Sequence, residues 1–399
     1  MKIKNTKPAL TATTKKRWAW ADVSWPTALF LIGVPVTCLI ALPTYLHFAE
    51  PPSDVLLKTI LWATLLGILT NLSITAGYHR LYSHRSYEAH PVLRLILLFI
   101  GAGAWQSSCL RWSSDHRVHH NFVDQDKDPY AITKGFFYAH FGWMLLKSPP
   151  GHSIHAPDLV KDPMVRFQDK YYLPIAFVAG FLFPAAVAAS WGDFWGGLWI
   201  AGFLRIFLTQ QSTYFVNSLS HTIGRRPYST EISARDSLFV AILTHGEGYH
   251  NFHHKFQWDY RNGVMWWQWD PTKWTIWTLS KIGMAQQLKK IPSHEILKAR
   301  MQIESMKLLE KGFSQEQLDH LREQVIGAQI KLRRLKSQYL ENKQKFQKSS
   351  SEKFEQLRFE MNRIQTEIEL AKVEFEAGLS RWQIWLNSQV PVRSGNEIF

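Results

Sequence analysis

The chain contains HRLYSH at 79–84, DHRVHH at 115–120 and HNFHH at 250–254, three stretches that hold eight of its 17 histidines. The second and third share the spacing H-x2-H-H. Because residues i, i+3 and i+4 of a helix lie on one face, each triplet can direct three imidazoles at one point. The five-residue spacing of His79 and His84 does not fit one face of an α-helix. We therefore expect the helix to end or distort between these two histidines.

A ninth histidine, His221, follows an apolar segment, and nine imidazoles exceed the capacity of one metal ion. Two metals are predicted, and neutral nitrogen ligands with open positions suit iron that reacts with oxygen. A ferritin-like di-iron site needs two Glu-x-x-His motifs, whereas only Glu247–His250 has that spacing. No HExxH motif of zinc hydrolases occurs, and the chain's two cysteines are too few for an iron–sulfur cluster.

Three acidic residues, Asp124, Asp126 and Asp128, follow the second histidine stretch. Carboxylates in this position can accept hydrogen bonds from the N–H groups of ligating imidazoles and so orient the rings. A solvated acidic loop is the alternative interpretation.

Four apolar segments are long enough to cross a bilayer, at about 25–48, 57–78, 171–191 and 194–220. Arg205 interrupts the fourth segment, where it either snorkels toward the membrane surface or contacts a protein-lined cavity. The uncharged segment 95–110 is too short to span and is predicted to be re-entrant or interfacial. The sequence thus predicts an all-α integral membrane protein with four transmembrane helices.

The distribution of charge orients these segments. The formal net charge is +14, and residues 1–17 contain six basic residues and no acidic one, which makes 1–24 a basic N-terminal arm. The positive-inside rule places this arm, residues 79–170 and everything after 221 in the cytoplasm. The first apolar segment lacks a small-residue cleavage site and is expected to be an anchor. The basic charge suits an anionic membrane surface or a phosphorylated ligand better than nucleic acid.

A charged helical tail is predicted over 296–399, where the apolar residues step by three and four as in a heptad repeat. Ser314 and Gln317 are predicted to form a capping box at the start of the helix that carries this repeat. The segment QKSSSEK at 347–353 is a predicted turn. The tail is expected to be either an antiparallel helical hairpin or a coiled coil that pairs with another chain as a homo-oligomer. It has no haem-attachment or nucleotide-binding motif, so electrons are expected to come from a separate protein.

The histidine stretches, together with ITAGYHR, DKDPY, GFFYAHFGW, NSLSHTIGRRPY and GEGYHNFHH, closely resemble the membrane Δ9 (stearoyl-CoA type) fatty-acyl desaturases over about residues 20–285. The resemblance implies a domain over 25–290 with four transmembrane helices beneath a cytoplasmic helical cap. It also implies two iron ions, O2 as co-substrate, and insertion of a cis double bond into a long saturated acyl chain. A cytochrome b5-like protein, a ferredoxin or a reductase would supply electrons. We expect a bacterial inner membrane as the location, or the endoplasmic reticulum if the organism is eukaryotic.

Carried over residue by residue, the resemblance implies that the iron ligands are His79, His84, His116, His119, His120, His221, His250, His253 and His254, with Asn217 acting through water. It implies that the substrate is bound by Gln106, Trp112, Thr213 and Lys147. Without the resemblance, Trp112 and Thr213 would be interpreted as residues of ordinary helix packing.

Two carriers of the acyl chain are consistent with the sequence. Ser114 and Ser148 stand where the acyl-CoA members carry basic residues, so the chain could act on acyl-CoA or on an acyl group in a membrane lipid. A fatty-acyl or alkyl hydroxylase on the same scaffold is the alternative function. A membrane transporter that passes metal along the histidines is disfavoured, because they lie at or beyond the cytoplasmic ends of the apolar segments.

Overall fold

The computed structural model describes residues 20–147, 154–348 and 351–388, and the side chains of residues 351 and 352 are not considered. The basic residues before Trp20, Ser148 and the end of the predicted tail after Ser388 lie outside the described residues. The described part is mostly helical, with a single two-stranded sheet.

The first half of the described chain contains α1 (Trp25–Ala49), α2 (Ser53–Leu72), α3 (Pro91–Ala102), α4 (Cys109–Phe122), α5 (Phe136–His140), α6 (Pro157–Lys161), α7 (Pro163–Lys170) and α8 (Tyr172–Phe177). The second half contains α9 (Phe183–Ala189), α10 (Phe194–Gly196), α11 (Arg205–Ser218), α12 (Leu238–Leu243), α13 (His250–Lys255), α14 (Pro271–Lys281), α15 (Ser293–Glu310), α16 (Gln315–Lys348) and α17 (Ser351–Asn387). Three π-helical stretches, Ser73–Ser83, Val178–Leu182 and Gly197–Leu204, continue or join these helices, and short 3-10 turns lie at Trp20–Asp22, Ile132–Lys134, Gly142–Leu145 and Leu219–His221.

Three helical stretches among the described residues are long and apolar enough to cross a membrane: Trp25–Ala49, Ser53–Ser83 and Tyr172–Ala189. They match the first three segments predicted from the sequence. The fourth predicted segment is helical from Phe194 to His221 but is not among these three candidates. The four-span topology, the cytoplasmic placement of the cap and the re-entrant position of α3 therefore stay predictions.

Arg205 lies inside the helix bundle, and the snorkelling alternative is wrong. Its side chain is only 3% exposed, and its guanidinium donates to Gly103 O (3.1 Å), Gly180 O (2.9 Å) and Thr70 Oγ1 (3.2 Å). The carbonyl of Gly103 follows the end of α3, where the last carbonyls have no partner within their own helix. Arg205 thus supplies a donor to the Gly103 carbonyl, which the turn after α3 would otherwise leave unpaired, and it also pairs with Gly180 O in the π-helical stretch Val178–Leu182.

We expect Arg205→Met to lower the thermal stability of the purified protein in detergent. Methionine has a comparable length but no donor, and each buried carbonyl left unpaired costs roughly 1–3 kcal/mol. Arg205→Lys, which keeps one charged donor group, should lie between the wild type and the methionine variant. An unchanged midpoint of thermal unfolding for Arg205→Met would contradict this account.

A short antiparallel sheet ties the end of the second apolar helix to the segment before the tail. Strand β1 (Glu88–Ala89) pairs with β2 (Ala285–Gln286), with Glu88 opposite Gln286 and Ala89 opposite Ala285. The main buried core surrounds this junction and includes residues from α3, α4 and α14. The segment before the tail is thereby fixed to the end of the predicted second span.

The tail forms three packed helices, α15, α16 and α17. The predicted capping box is confirmed, because Gln317 N donates to Ser314 Oγ (3.2 Å) and Ser314 N donates to Gln317 Oε1 (3.1 Å). Helices α16 and α17 pair with each other, and α15 joins their seam around Trp382, which is 1% exposed. Helices α16 and α17 therefore form a hairpin within one chain, with α15 packed against it, and pairing with a second chain stays a prediction. Of the predicted turn at 347–353, residues 349 and 350 lie outside the described residues.

Candidate metal centre

The helix that carries the first two histidines widens into a π-helix between Ser73 and Ser83. His84 N donates to His79 O (3.1 Å), a hydrogen bond that spans five residues. A π-helix closes i→i+5 hydrogen bonds, so residues five apart come onto one side of it. The predicted distortion is thus confirmed, and it is what brings His79 and His84 together.

Helices α4 and α13 present the two H-x2-H-H triplets. Ser108 caps α4, since Arg111 N donates to its hydroxyl oxygen (3.4 Å). Asp236 caps α13 by accepting hydrogen bonds from Asn251 N (2.8 Å) and Phe252 N (3.0 Å). Burial raises the pKa of Asp236 to about 7. Both short helices are thus held at their first turn, which fixes the direction of their histidine faces.

The nine histidines form two compact groups of nitrogen atoms that lie within 4.8 Å of one another in each group. The first group has five members, His79, His84, His116, His120 and His253, and the second has four, His119, His221, His250 and His254. The two groups mix residues from α4 and α13, so that each triplet contributes to both, and the expectation that one triplet directs its three imidazoles at one point is wrong. This arrangement offers two neighbouring sites, each with enough donors for one ion.

Three histidines have their Nδ1 atom fixed by a carboxylate, either directly or through a serine hydroxyl. His79 Nδ1 lies 2.8 Å from Glu247 Oε2, and His119 Nδ1 lies 2.9 Å from Asp128 Oδ1. His221 Nδ1 lies 2.6 Å from Ser233 Oγ, which donates its own hydrogen to Asp124 Oδ1 (2.6 Å). Because these acceptors require Nδ1–H, each Nε2 is left with a lone pair. Two of the three predicted acidic partners thus orient imidazoles, directly or through Ser233, while Asp126 is exposed.

The Nε2 atoms then face one another across the centre. His79 Nε2 lies 3.0 Å from His253 Nε2, and His119 Nε2 lies 3.3 Å from His254 Nε2. Burial and the neighbouring rings hold the pKa values of His84, His116, His120, His221, His250, His253 and His254 well below the ordinary range. Neutral imidazoles whose lone pairs converge are the ligand form of histidine, and this donor set fits metal cations.

Comparison with known proteins identifies the chain. The profile of the fatty acid desaturase family matches residues 56–281, which include all nine of these histidines. The chain belongs to the fatty acid desaturase family.

Several desaturases from eukaryotes are similar to this family member. A probable acyl-CoA desaturase from Schizosaccharomyces pombe is 40% identical over 302 residues, which cover 75% of this chain and 61% of that protein. Stearoyl-CoA desaturase 5 from Bos taurus is 37% identical over 65% of this chain and 81% of its own length. An acyl-CoA Delta(11) desaturase from Spodoptera littoralis is 37% identical over 61% of this chain and 73% of its own. The match to acyl-CoA desaturase 1 of Saccharomyces cerevisiae covers 58% of that protein, so the chain spans about three fifths of these two yeast relatives.

The histidine centre rests on a buried ionic network that sequence reasoning did not find. Arg80 is 1% exposed and donates to Glu247 Oε1 (2.9 Å), Asp270 Oδ1 (3.0 Å) and Tyr260 O (2.7 Å). The arginine and His79 lower the pKa of Glu247 to about 2 despite its burial. Glu247 is therefore a carboxylate, able to accept from His79 and Arg80 together. The signals available were the position of Arg80 directly after His79 and of Glu247 three residues before His250.

Of the four predicted substrate residues, Trp112 contacts the histidine centre, and Gln106 and Thr213 contact each other. Gln106 Nε2 donates to Thr213 Oγ1 (3.0 Å), which joins the turn before α4 to α11. The ring of Trp112 stacks on His116 with centroids 5.1 Å apart. Lys147 is exposed at the surface of the described part of the chain. Asn217 is half-buried one helical turn before His221.

Proposed function

We propose that this member of the fatty acid desaturase family is an O2-dependent di-iron fatty-acyl desaturase. It inserts a cis double bond, at Δ9, into a long saturated acyl chain. The observation that carries the proposal is the pair of adjacent imidazole groups, one of five and one of four, in a chain similar to proteins that are named acyl-CoA desaturases. The nine histidines would hold the metals, and Asn217 would complete the four-histidine site through water.

Iron is the metal that best suits these ligands. Neutral nitrogen donors leave the positive charge of the ions undiminished, and sites with open positions favour iron in oxygen chemistry. Bound there, the two ions would supply the activation of O2 that removes two hydrogens from adjacent carbons and yields water. Glu247, Asp128 and the Asp124–Ser233 pair would keep His79, His119 and His221 in the correct tautomer throughout.

The protein selects the carbon that reacts by positioning the acyl chain. A saturated methylene offers no polar group to recognise, so the shape of the acyl site must select the carbon that reacts. Trp112 lies against His116, and the Gln106–Thr213 hydrogen bond crosses between α11 and the turn before α4. We propose that these three side chains hold the acyl chain beside the metals.

The proposal also covers the acyl carrier and the surface that would meet it. Acyl-CoA is the proposed carrier, in accord with the names of the relatives, and an acyl-lipid is the alternative. Lys147 and Arg111 are exposed cations that could meet a phosphorylated carrier at the surface.

A separate cytochrome b5-like protein, ferredoxin or reductase would deliver electrons at the cytoplasmic side. The membrane would be a bacterial inner membrane, or the endoplasmic reticulum in a eukaryote, with homo-oligomers through the tail as a further proposal.

Expression in a desaturase-deficient host, followed by fatty-acid methyl ester profiling, tests the reaction. We expect a new cis monoene that is absent from the empty-vector control, with the double bond located at Δ9 by mass spectrometry of disulfide adducts. A monoene at another position would retain the desaturase and overturn its regioselectivity. Hydroxylated chains would favour the hydroxylase instead. No change in acyl composition, with ample iron and reductant, would contradict both.

A further inference from the structure

A patch of exposed tryptophans lies on the cap between residues 265 and 281. We call it the tryptophan patch and define it by Met265, Trp266, Trp267, Trp269, Trp274 and Trp277. Trp266 is 80% exposed and Trp267 is 60% exposed. Clusters of large exposed apolar side chains are uncommon on surfaces that face water, and they mark contacts with a membrane or a protein.

Helix α14, which carries part of the patch, has large apolar side chains on its exposed side. Ile276 is buried, whereas Trp274 and Trp277 lie on the exposed side beside Thr278. The outer face of a surface helix in water is usually polar and charged, and these two tryptophans depart from that pattern. Within 265–281 the formally charged residues are Asp270, Lys273 and Lys281, and the first two are buried. Lys281 is therefore the single exposed formal charge of this segment.

The position of α14 links the patch to the apolar surface of α2. Thr272 Oγ1 lies 2.7 Å from Thr75 Oγ1, in the π-helical continuation of α2. Six residues earlier, about 9 Å along the helix, Leu69 is an exposed apolar side chain of the predicted second span. Helix α14, which carries Trp274 and Trp277, thus begins beside the end of the predicted second span.

Hydrogen bonds from α14 order the loop that carries Trp266 and Trp267. Lys273 Nζ donates to Gly263 O (2.8 Å), Met265 O (2.8 Å) and Gln268 O (3.2 Å), and Trp274 Nε1 donates to Trp266 O (3.3 Å). These bonds satisfy the loop's carbonyl groups on the inner side. Trp266 and Trp267 are thereby presented on an ordered loop, which lowers the entropic cost of placing them in an interface.

We infer that the tryptophan patch is a membrane-contact surface that lies in the headgroup region of the bilayer. Indole rings prefer this region because their apolar body and polar N–H suit the boundary between hydrocarbon and water. The Lys281 ammonium lies 5.0 Å from the centroid of the Trp277 ring, where it can meet lipid phosphates. The scarcity of exposed charge favours lipid over a protein partner recognised through complementary charges.

Fluorescence quenching in vesicles tests this inference on the full chain. The two native cysteines, Cys38 and Cys109, are buried, so a cysteine introduced at the surface can be labelled selectively. Trp266→Cys and Trp277→Cys would each carry an environment-sensitive fluorophore in vesicles of phosphatidylcholine and phosphatidylglycerol. We expect strong quenching by nitroxide-labelled lipids and little quenching by aqueous iodide. The unsubstituted chain, treated with the same label, gives the background.

Phe359→Cys is the matched control, because Phe359 is an aromatic residue of the tail that is 71% exposed. Its label should show the opposite pattern, with quenching by iodide and little by lipid nitroxides. Labels at 266 and 277 that behave like the label at 359 would overturn the inference and leave the patch free for a protein partner. Each variant's thermal unfolding midpoint shows whether its fold is retained. The readout does not depend on enzyme activity, so it stands apart from the proposed reaction.

Discussion

Replacing His119 with alanine should abolish product formation and remove about one metal ion per chain. His119 belongs to the group of four histidines, which has fewer donors to spare than the group of five. Its Nδ1 is fixed by Asp128, so its Nε2 is directed at the centre. Loss of an orienting partner typically costs 10–100-fold in metal affinity or activity, and loss of the ligand itself should cost more.

The measurement combines metal analysis with fatty-acid profiling in the same host. Iron per chain is determined on the purified protein by mass spectrometry, for the wild type and for His119→Ala. His320→Gln is the control, because His320 lies on the tail, where its ring bonds to the Gln324 side chain. We expect this control to keep both its metal and its product. A His119→Ala variant that retains full metal content and forms monoene would refute the assignment of His119 as a ligand.

The spacing of the histidines was sufficient to predict most of the centre. The i, i+3, i+4 pattern predicted which rings of α4 and α13 share a face, and the five-residue spacing of His79 and His84 predicted the distortion that the π-helix supplies. Such patterns are local, and local geometry follows from helical periodicity. The capping box at Ser314 succeeded for the same reason.

The contacts that sequence reasoning missed are all long-range. Arg80 meets Asp270 and Glu247 across more than 160 residues, and no periodicity relates them. Arg205 could be recognised as unusual in an apolar segment, yet its acceptors are backbone carbonyls, which have no signature in the sequence. The division of nine histidines into groups of five and four also depends on how α4 and α13 cross, which spacing alone leaves undetermined.

The second large effect is expected from Arg80→Met, which should destabilise the protein by about 3–5 kcal/mol, as removal of one partner from a buried ion pair does. Glu247 and Asp270 are both buried, and each accepts a hydrogen bond from the guanidinium. Without Arg80, two carboxylates would face each other in the interior with no cation between them. The cost would fall on the metal centre as well, because Glu247 also orients His79.

Arg85 provides the matched comparison, since it is an arginine five residues away in an exposed ion pair with Asp158 (2.7 Å). Arg117 also pairs with Asp158, so Arg85→Met leaves that carboxylate with a partner, and exposed pairs contribute about 0–1 kcal/mol. We expect the midpoint of thermal unfolding in detergent to fall steeply for Arg80→Met and to change little for Arg85→Met. Equal shifts in the two variants would mean that the buried network does not stabilise the fold.

Arg80→Lys separates charge from geometry, because a single ammonium cannot reproduce the guanidinium's simultaneous bonds to Glu247, Asp270 and Tyr260 O. A lysine variant as unstable as the methionine variant would show that the planar fork, rather than the positive charge alone, holds the base of the histidine centre together.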